Sequence, residues 1–263
     1  MSSILDEIYA AKREEVRERR AAVAPRVIAA EAARARPPRD FVAALRWHKD
    51  GYPPIIAEIK RASPSKGDIM PGLDPAKVAR GYELSGAAAI SVLTDRHFKG
   101  TLDDLRAARA AVDIPIVRKD FIFDPYQVYE ARAAGADAIL LIAAMLKEGE
   151  LRSLNSLALE LGMTALIEVH NAEEFARAES LGAEPIGINN RDLHTFKTDL
   201  AVTERLLGEY RGSALIVAES GIDSPDDIRR LHKAGARAFL IGESLLRGGK
   251  PGEKLLELIA ALR

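Results

Sequence analysis

The sequence predicts a (β/α)8 barrel with an N-terminal helical extension, and three observations support this fold class. After about residue 40, short apolar runs recur, each followed by a polar turn and a helical pattern. Gly-Ala steps recur where a helix should end and a strand begin, and glycine there supplies the left-handed helix cap; they begin at Gly86, Gly135, Gly182 and Gly235. The length of 263 residues is typical of one such barrel. We therefore expect residues 1–263 to form a single domain, with residues 1–40 as the extension.

The extension comes first. Residues 1–36 have the pattern of a helix, because Ile4, Leu5, Ile8 and Tyr9 are spaced for one apolar face and the remaining positions are rich in charge. Pro37 and Pro38 then end it. Packing against the barrel and covering the mouth of an active site both fit this pattern, and a structural role is favoured for most of the extension.

Eight strands are predicted after the extension. Most are continuous apolar runs, as expected for parallel strands that have helices outside and a packed core inside. They are Ile55–Lys60, Ala88–Leu93, Pro115–Lys119, Ala138–Ile142, Ala165–Val169, Ile186–Asn189, Leu215–Glu219 and Ala238–Ile241. A last helix is predicted over Pro251–Leu262. A doubly wound sheet also alternates strands and helices, but it usually needs a glycine-rich turn after the first strand, and this sequence has none there.

Helix starts between the strands carry a second signal. Asp74, Asp124 and Ser224 each precede a proline, which places an N-cap residue before a proline at the first helical position. Such starts are typical of the helices that follow strands in βα units.

Composition narrows the classes of function. The chain has no cysteine, which excludes disulfides, thiolate metal sites and cysteine nucleophiles, and its five histidines show no metal-ligand spacing. Lys and Arg number 38 against 39 Asp and Glu, so no overall field attracts nucleic acid or an anionic membrane. No apolar run reaches the length of a membrane span, and no secretory signal is evident. We expect a cytoplasmic protein with no metal and no nucleic-acid or membrane partner.

Polar residues stand at five predicted strand ends, at the edge where barrels of this class carry their active sites. The groups are Glu58 and Lys60, then Arg118-Lys119-Asp120, Glu168-Val169-His170, Asn189-Asn190-Arg191-Asp192 and Glu219-Ser220-Gly221. Period-two alternation puts Glu58 and Lys60 on one face, about 6.6 Å apart along the strand. An unpaired charge facing the interior would cost several kcal/mol unless a partner or ligand used it. We predict an active site here; an internal Glu58–Lys60 ion pair is the structural alternative.

The last two strand ends also carry a phosphate-binding pattern. Gly221 and Gly242 follow the seventh and eighth strands, where this fold commonly binds phosphate through backbone N–H groups. Glycine lets the main chain approach phosphate oxygens closely. Ser63 and Lys66, after the first strand, are further candidates, although a flexible loop explains them equally well.

In order and spacing, several of these segments resemble the indole-3-glycerol phosphate synthase family over nearly the whole chain. The segments are Glu58-Ile59-Lys60-Arg61-Ala62-Ser63-Pro64-Ser65, Arg118-Lys119-Asp120-Phe121, Glu168-Val169-His170, Ile188-Asn189-Asn190-Arg191-Asp192-Leu193, Glu219-Ser220-Gly221-Ile222 and Gly242-Glu243-Ser244-Leu245. The resemblance implies a barrel enzyme of tryptophan biosynthesis. It would convert 1-(2-carboxyphenylamino)-1-deoxyribulose 5-phosphate to indole-3-glycerol phosphate, carbon dioxide and water. The electron-rich anilino ring supplies the electrons, so no cofactor is implied.

The resemblance also implies roles for individual residues. Lys119 would be the general acid on the ketone, and Glu168 would transfer protons during dehydration. Lys60 would bind the substrate carboxylate, with a second acid role left open, and Glu58 would position the lysines. Asn189 would hydrogen-bond the substrate.

Binding roles follow from the same resemblance. Arg191 would help to hold the site, and the aromatic ring would pack on Phe98, Phe121 and Leu140, although ordinary packing also explains Leu140. The phosphate would lie on the following residues, with Ser63 nearby: Ser220, Gly221, Gly242 and Glu243. Glu243 would have to use its backbone N–H, because its carboxylate would repel the phosphate.

Two alternatives stay open at this point. A phosphosugar isomerase performing an Amadori-type rearrangement on the same barrel would use Glu58 and Glu168, but it does not account for Lys60 and Lys119. A non-catalytic barrel that binds a phosphorylated metabolite would keep the glycine turns but has no need of the lysines and carboxylates. We expect a monomer or weak homo-oligomer, and contact with other tryptophan-pathway enzymes stays open.

Overall fold

The computed structural model describes residues 4–46, 52–63, 67–192 and 195–262, with side chains from residue 7 onward. Its centre is a closed barrel of eight parallel strands in chain order, in which the last strand pairs with the first. The strands are β1 Ile55–Ile59, β2 Ala89–Leu93, β3 Ile116–Lys119, β4 Ala138–Ile142, β5 Thr164–Val169, β6 Ile186–Asn189, β7 Ile216–Glu219 and β8 Ala238–Ile241. Each lies within one residue of its predicted bounds, so the predicted (β/α)8 barrel is confirmed.

Helices precede the barrel and alternate with its strands. Those before it are α1 Ile4–Ala22, α2 Pro25–Arg34 and α3 Phe41–Arg46. Those after β1 are α4 Pro75–Leu84, α5 Leu102–Ala111, α6 Pro125–Ala133, α7 Glu148–Glu160, α8 Ala172–Ser180, α9 Ala201–Gly208, α10 Pro225–Ala234, α11 Glu243–Leu246 and α12 Pro251–Ile259. A 3-10 turn, Ala260–Leu262, completes the predicted last helix. The side chains of Asp74, Asp124 and Ser224 accept backbone N–H groups at the starts of α4, α6 and α10, as predicted.

The strands separate two apolar layers. Inside the barrel, residues such as Ile56, Val117 and Leu166 pack against one another. Outside it, Ala57 and Ile59 join the larger layer between strands and helices. This alternation sends the even-numbered positions of β1 inward, so Glu58 follows Ile56 toward the interior and the carboxyl end of the barrel.

The extension differs from the single helix predicted over residues 1–36. α1 ends at Ala22 and α2 begins at Pro25, because proline has no N–H for a helix interior and its ring clashes with the preceding turn. The sequence prediction also missed α3, which at six residues is too short to show a helical period. Phe41 and Leu45 of α3 are buried in the inner apolar layer with the first residues of several strands. α3 therefore closes the amino end of the barrel.

At the other end, α1 is fastened to the mouth of the barrel by a buried lysine. Lys12 is fully buried, and its Nζ lies 2.7 Å from Asp95 Oδ2 and 2.9 Å from Asp120 Oδ1. Both aspartates follow the carboxyl ends of strands, β2 and β3. Asp120 also accepts hydrogen bonds from Arg118 Nη2 at 2.8 Å and Thr94 Oγ1 at 2.6 Å. The structural role expected for most of the extension fits α2, whereas α1 reaches the mouth.

Among the helices in the described ranges, none is both long and apolar enough to cross a bilayer.

The ion-pair network around Lys12 yields a stability prediction. Lys12→Met leaves Asp95 without its lysine in a buried setting, and we expect a loss of about 3 kcal/mol in the free energy of unfolding. Urea unfolding followed by circular dichroism measures it. The matched control is Lys77→Met, whose exposed pair with Asp74 spans 3.8 Å and should contribute less than about 0.5 kcal/mol. Equal stability of the two variants would contradict the assigned role of Lys12.

Candidate active site

A cavity of about 520 Å³ opens at the carboxyl ends of the strands. Its wall contains every residue to which the resemblance gives an individual role except Ser63: Glu58, Lys60, Phe98, Lys119, Phe121, Leu140, Glu168, Asn189, Arg191, Ser220, Gly221, Gly242 and Glu243. Ser63 is buried in a two-stranded hairpin, Ala62–Ser63 with Gly67–Asp68, outside the described wall. Lys66 lies outside the described residues. Ile8 of α1 also lines the cavity, so the extension forms part of the site.

Lys119, the last residue of β3, is surrounded by carboxylates. Its Nζ donates a hydrogen bond to Glu168 Oε2 at 3.0 Å and lies 3.5 Å from Glu219 Oε2. Burial opposes the positive charge, but the carboxylates of Glu168, Glu219 and Glu58 outweigh burial and raise the pKa of Lys119 above its usual range. Lys119 therefore stays protonated at neutral pH.

Glu168, on β5, is ionised by its partners. Burial alone would raise its pKa, but Lys119, His170 and a hydrogen bond with Asn189 hold the pKa of Glu168 well below its usual range. His170 Nε2 lies 3.3 Å from Glu168 Oε1, and its Nδ1 lies 3.1 Å from Glu174 Oε2. No individual role was predicted for His170 from the sequence; its spacing of four residues from Glu174, on the helix that follows, was the available signal.

Glu219, at the end of β7, is the central residue that the sequence analysis left without a role. Its side chain is only 1% exposed and lines the cavity beside Lys119. Burial and the neighbouring carboxylates, chiefly Glu168, raise the pKa of Glu219 to about 8, and the attraction of Lys119 offsets this only in part. Like Glu168, Glu219 ends an apolar strand, and this position was the available signal in the sequence.

Glu58 and Lys60 form an ion pair in the cavity wall. Lys60 Nζ lies 2.8 Å from Glu58 Oε1, so the internal pair considered as the structural alternative is present. Both side chains also line the cavity, which leaves them accessible to a ligand. A Cβ built on Gly242 would overlap Glu58 Oε1 and lie 2.9 Å from Glu58 Cβ. The missing side chain at residue 242 thus makes room for the carboxylate of β1.

An apolar wall lies among the charged groups. The rings of Phe98 and Phe121 have centroids 6.4 Å apart and planes inclined by 32°. Leu140 and Leu240 line the same cavity from inside the barrel. Because apolar surfaces of this kind suit a flat ring, the cavity can hold an aromatic group between its charged parts.

Backbone turns after β7 and β8 form another part of the wall. Ser220 and Gly221 both have a left-handed backbone, with φ of 65° and 77°. A side chain at residue 221 would collide with Thr198 Cγ2, so this tight turn requires glycine. Gly242 caps the short helix α11, which begins at Glu243. Main-chain groups therefore face the cavity at both turns.

The side chain of Glu243 is held by arginines. Its Oε1 accepts a hydrogen bond from Arg247 at 2.8 Å, and its Oε2 lies 3.4 Å from Arg191 Nη2. Against the effect of burial, Arg247, Lys60 and Arg191 lower the pKa of Glu243. These contacts neutralise the carboxylate that the sequence analysis identified as an obstacle to phosphate binding.

Within the described part of the chain, no three or more His, Cys, Asp or Glu side chains are grouped so that they could hold a metal ion. His48 and His194 lie outside the described residues.

The two carboxylates flanking His170 predict a pH dependence of stability. Burial disfavours the imidazolium, but Glu168 and Glu174 raise the pKa of His170 to about 10, above the ordinary 6.5 that it regains on unfolding. The contribution of His170 to the free energy of unfolding is therefore complete below pH 6.5 and is lost as pH rises toward 10. We expect His170→Gln to lower the free energy of unfolding by about 2 kcal/mol at pH 6 and by much less at pH 9.5. Urea unfolding at both pH values measures this.

The control for that experiment is His232→Gln, because burial and Arg237 lower the pKa of His232. It should show no loss of stability that is specific to low pH. A His170→Gln effect of equal size at pH 6 and pH 9.5 would contradict the prediction.

Comparisons with known proteins concern both sequence and fold. The family model described as indole-3-glycerol phosphate synthase matches residues 5–258. Curated relatives carry the same name. The relative from Chromobacterium violaceum is 49% identical over 266 residues and covers 99% of each chain. That from Acidithiobacillus ferrooxidans is 48% identical over 260 residues, covering 98% of this chain and 99% of the relative. The relative from Dechloromonas aromatica is 48% identical over 262 residues and covers 99% of this chain and 100% of its own length.

Solved structures with lower identity share the fold. Thiamine phosphate pyrophosphorylase from Pyrococcus furiosus superposes with a TM-score of 0.60 at 17% identity, covering 81% of this chain and 96% of that one. A chain of the tryptophan synthase α2β2 complex from the hyperthermophile Pyrococcus furiosus superposes with a TM-score of 0.58 at 15% identity, covering 81% of this chain and 99% of that one. These likenesses show the barrel alone. Because nearly the whole sequence matches one family, the chain belongs to the indole-3-glycerol phosphate synthase family.

Proposed function

We propose that this chain converts 1-(2-carboxyphenylamino)-1-deoxyribulose 5-phosphate to indole-3-glycerol phosphate, carbon dioxide and water through the residues of the described cavity. Family membership makes it an enzyme of tryptophan biosynthesis and a carboxy-lyase. The observation that carries the residue-level proposal is that Lys60, Lys119, Glu58, Glu168 and Glu219 share one cavity wall, beside an apolar surface and two backbone turns.

The cavity offers a place for each part of this substrate. The anilino ring packs on Phe98, Phe121 and Leu140, which line one cavity. The phosphate lies against the backbone of the turns after β7 and β8, at Ser220, Gly221, Gly242 and the N–H of Glu243. Lys60 binds the substrate carboxylate.

Polar side chains around the substrate complete its binding. Glu58 holds Lys60 through their 2.8 Å ion pair. Asn189 hydrogen-bonds the substrate while its Oδ1 accepts the backbone N–H of Arg191 at 3.0 Å. Arg191 in turn holds Glu243 away from the phosphate.

Lys119 is the general acid for ring closure. The ring carbon that bears the carboxylate attacks the ketone carbon, and the ketone oxygen needs a proton as negative charge develops on it. Lys119 supplies that proton because the surrounding carboxylates keep it charged. Loss of carbon dioxide then returns the bonding electrons to the ring and restores its aromaticity. Lys60 is the second ammonium within the cavity and the alternative acid.

Dehydration requires an acid and a base, and two carboxyl groups with opposite pKa shifts provide them. Glu168 is held ionised and is suited to accept a proton. Glu219, with its pKa raised to about 8, is mostly protonated at neutral pH and is suited to donate a proton. It can donate this proton to the substrate, or it can return a proton to Lys119 after Lys119 has acted as the acid. Carboxyl groups whose environments separate their pKa values divide acid and base work in this way.

The setting of the enzyme completes the proposal. We propose one domain over residues 1–263, working in the cytoplasm as a monomer or weak homo-oligomer and requiring no cofactor. Its partner is a phosphorylated small molecule, with no nucleic acid or membrane involved, and contact with other tryptophan-pathway enzymes stays open. Family membership favours this reaction over the Amadori-type isomerase and over the non-catalytic barrel.

The direct test is to incubate purified protein with the carboxyphenylamino-deoxyribulose phosphate and to follow indole fluorescence. We expect a rise that depends on enzyme concentration. Absence of a signal from protein that still binds the phosphorylated substrate in calorimetry would overturn the catalytic proposal and favour the non-catalytic barrel.

The acid role predicts the effect of one substitution. Lys119→Met keeps an unbranched side chain but removes the ammonium group that donates the proton. We therefore expect kcat to fall by more than about 10³-fold, within the range seen for loss of a general acid. Calorimetry should show that the substrate still binds. The matched control is Lys99→Met, since Lys99 pairs with Asp68 on an exposed surface. Near-normal turnover of Lys119→Met would move the acid role to Lys60.

A further inference from the structure

Gly187 occupies the middle of β6 without any backbone reason for glycine. It is buried, and it pairs in register with Glu168 on β5 and Val217 on β7. Its φ lies outside the left-handed range that favours glycine. Glycine weakens an interior strand, because it has no side chain to pack and loses more entropy on folding. The explanation for glycine here therefore lies in the space that it leaves.

That space is filled by the carboxyl group of Glu219. A Cβ built on Gly187 would overlap Glu219 Oε1, and it would lie 3.2 Å from Glu219 Cδ and 3.3 Å from Leu166 Cδ1. Glu219 itself pairs in register with Asn189, two residues further along β6. Its side chain therefore reaches back into the barrel, and Leu166 Cδ1 also lies close to the space over Gly187.

The same geometry brings two carboxyl groups together at one lysine. Gly187 is the register partner of Glu168, so a carboxyl group lying over Gly187 lies beside the base of Glu168. Lys119 Nζ then contacts both, at 3.0 Å from Glu168 Oε2 and 3.5 Å from Glu219 Oε2. A methyl group at residue 187 would exclude Glu219 from this position.

We propose that Gly187 is a positioning residue, whose missing side chain holds the Glu219 carboxyl group inside the barrel within reach of Lys119 and Glu168. The assignment rests on the proposed function, since it acts on the reaction through Glu219. Without the space over Gly187, the carboxyl group has to turn toward the cavity, where water competes for it and the substrate needs room.

The test begins with Gly187→Ala. We expect kcat to fall by about 100-fold while KM changes by less than threefold, because displacement of a catalytic group by about an ångström has effects of this size and the binding surfaces stay in place. Gly149→Ala is the control: Gly149 lies in α7, with nothing within 4 Å of a built Cβ, and its variant should keep the parent kcat.

A second readout follows Glu219 itself. In the parent, ¹³C NMR of labelled glutamate should show one carboxyl group titrating near pH 8, which Glu219→Gln removes. In Gly187→Ala this titration should move toward the ordinary range of glutamate, because the displaced carboxyl group becomes better solvated. The limb of the pH–kcat profile that reports Glu219 should move in the same direction. A merely structural loss would lower the melting temperature without either change.

Rescue separates displacement from misfolding. Aspartate is one methylene shorter than glutamate, so Glu219→Asp should draw the carboxyl group out of the volume that a methyl at residue 187 takes. The double variant Gly187→Ala with Glu219→Asp should therefore have a higher kcat than Gly187→Ala alone, and it remains testable if the single variant fails to fold.

The outcomes distinguish this proposal from the proposed function. Absence of turnover in the parent protein overturns the function, and the NMR titration then decides the role of Gly187. An active parent, together with a Gly187→Ala variant whose kcat is within threefold of it and whose Glu219 titration is unchanged, overturns the positioning role. If both variants fail to fold, or if Gly187→Ala lowers the melting temperature without moving the Glu219 titration and the aspartate gives no rescue, Gly187 serves packing alone and the proposal is likewise overturned.

Discussion

The charge balance around Lys119 is the constraint on which the rest of the site depends. A lysine and carboxylates taken out of water at the end of a barrel would each cost several kcal/mol without partners. Here the ammonium of Lys119 lies 3.0 Å from Glu168 and 3.5 Å from Glu219. Each group is therefore stable in its place only while the others stay, which couples three strands at the mouth. The same balance separates the pKa values of the two carboxyl groups, which an acid and a base require.

A second buried network connects this site to the extension. Asp120 directly follows Lys119, and the charges of Arg118 and Lys12 outweigh its burial and hold the pKa of Asp120 well below its usual range. Lys12 belongs to α1, and Ile8, one turn earlier on that helix, lines the cavity. The extension thus contacts the site through the ion pair of Lys12 with Asp120 as well as through the packing of Ile8. At the opposite end, Phe41 and Leu45 of α3 fill the amino end of the barrel, so the segments that precede β1 support both of its ends.

Small residues have as much influence on the site as charged ones. The carboxyl groups of Glu58 and Glu219 occupy space that side chains at Gly242 and Gly187 would fill. A barrel interior is packed by side chains in layers, so a carboxylate can enter it only where a neighbouring strand gives up a side chain. Charged residues and the glycines that accommodate them form one arrangement, although they stand far apart in the chain.

The sequence by itself determined the barrel, since apolar runs, helix caps and the Gly-Ala steps are local signals that act within one βα unit. It also determined the ring of polar strand ends, because strand polarity places every carboxyl end on one side. Tertiary structure alone decided which groups meet. The break before Pro25 was visible locally, but the position of α1 over the mouth depends on Lys12 meeting aspartates from two other units. The importance of Glu219 likewise depends on Lys119, 100 residues earlier in the chain, because distances across a closed barrel are set by strand register and by the space that a glycine leaves.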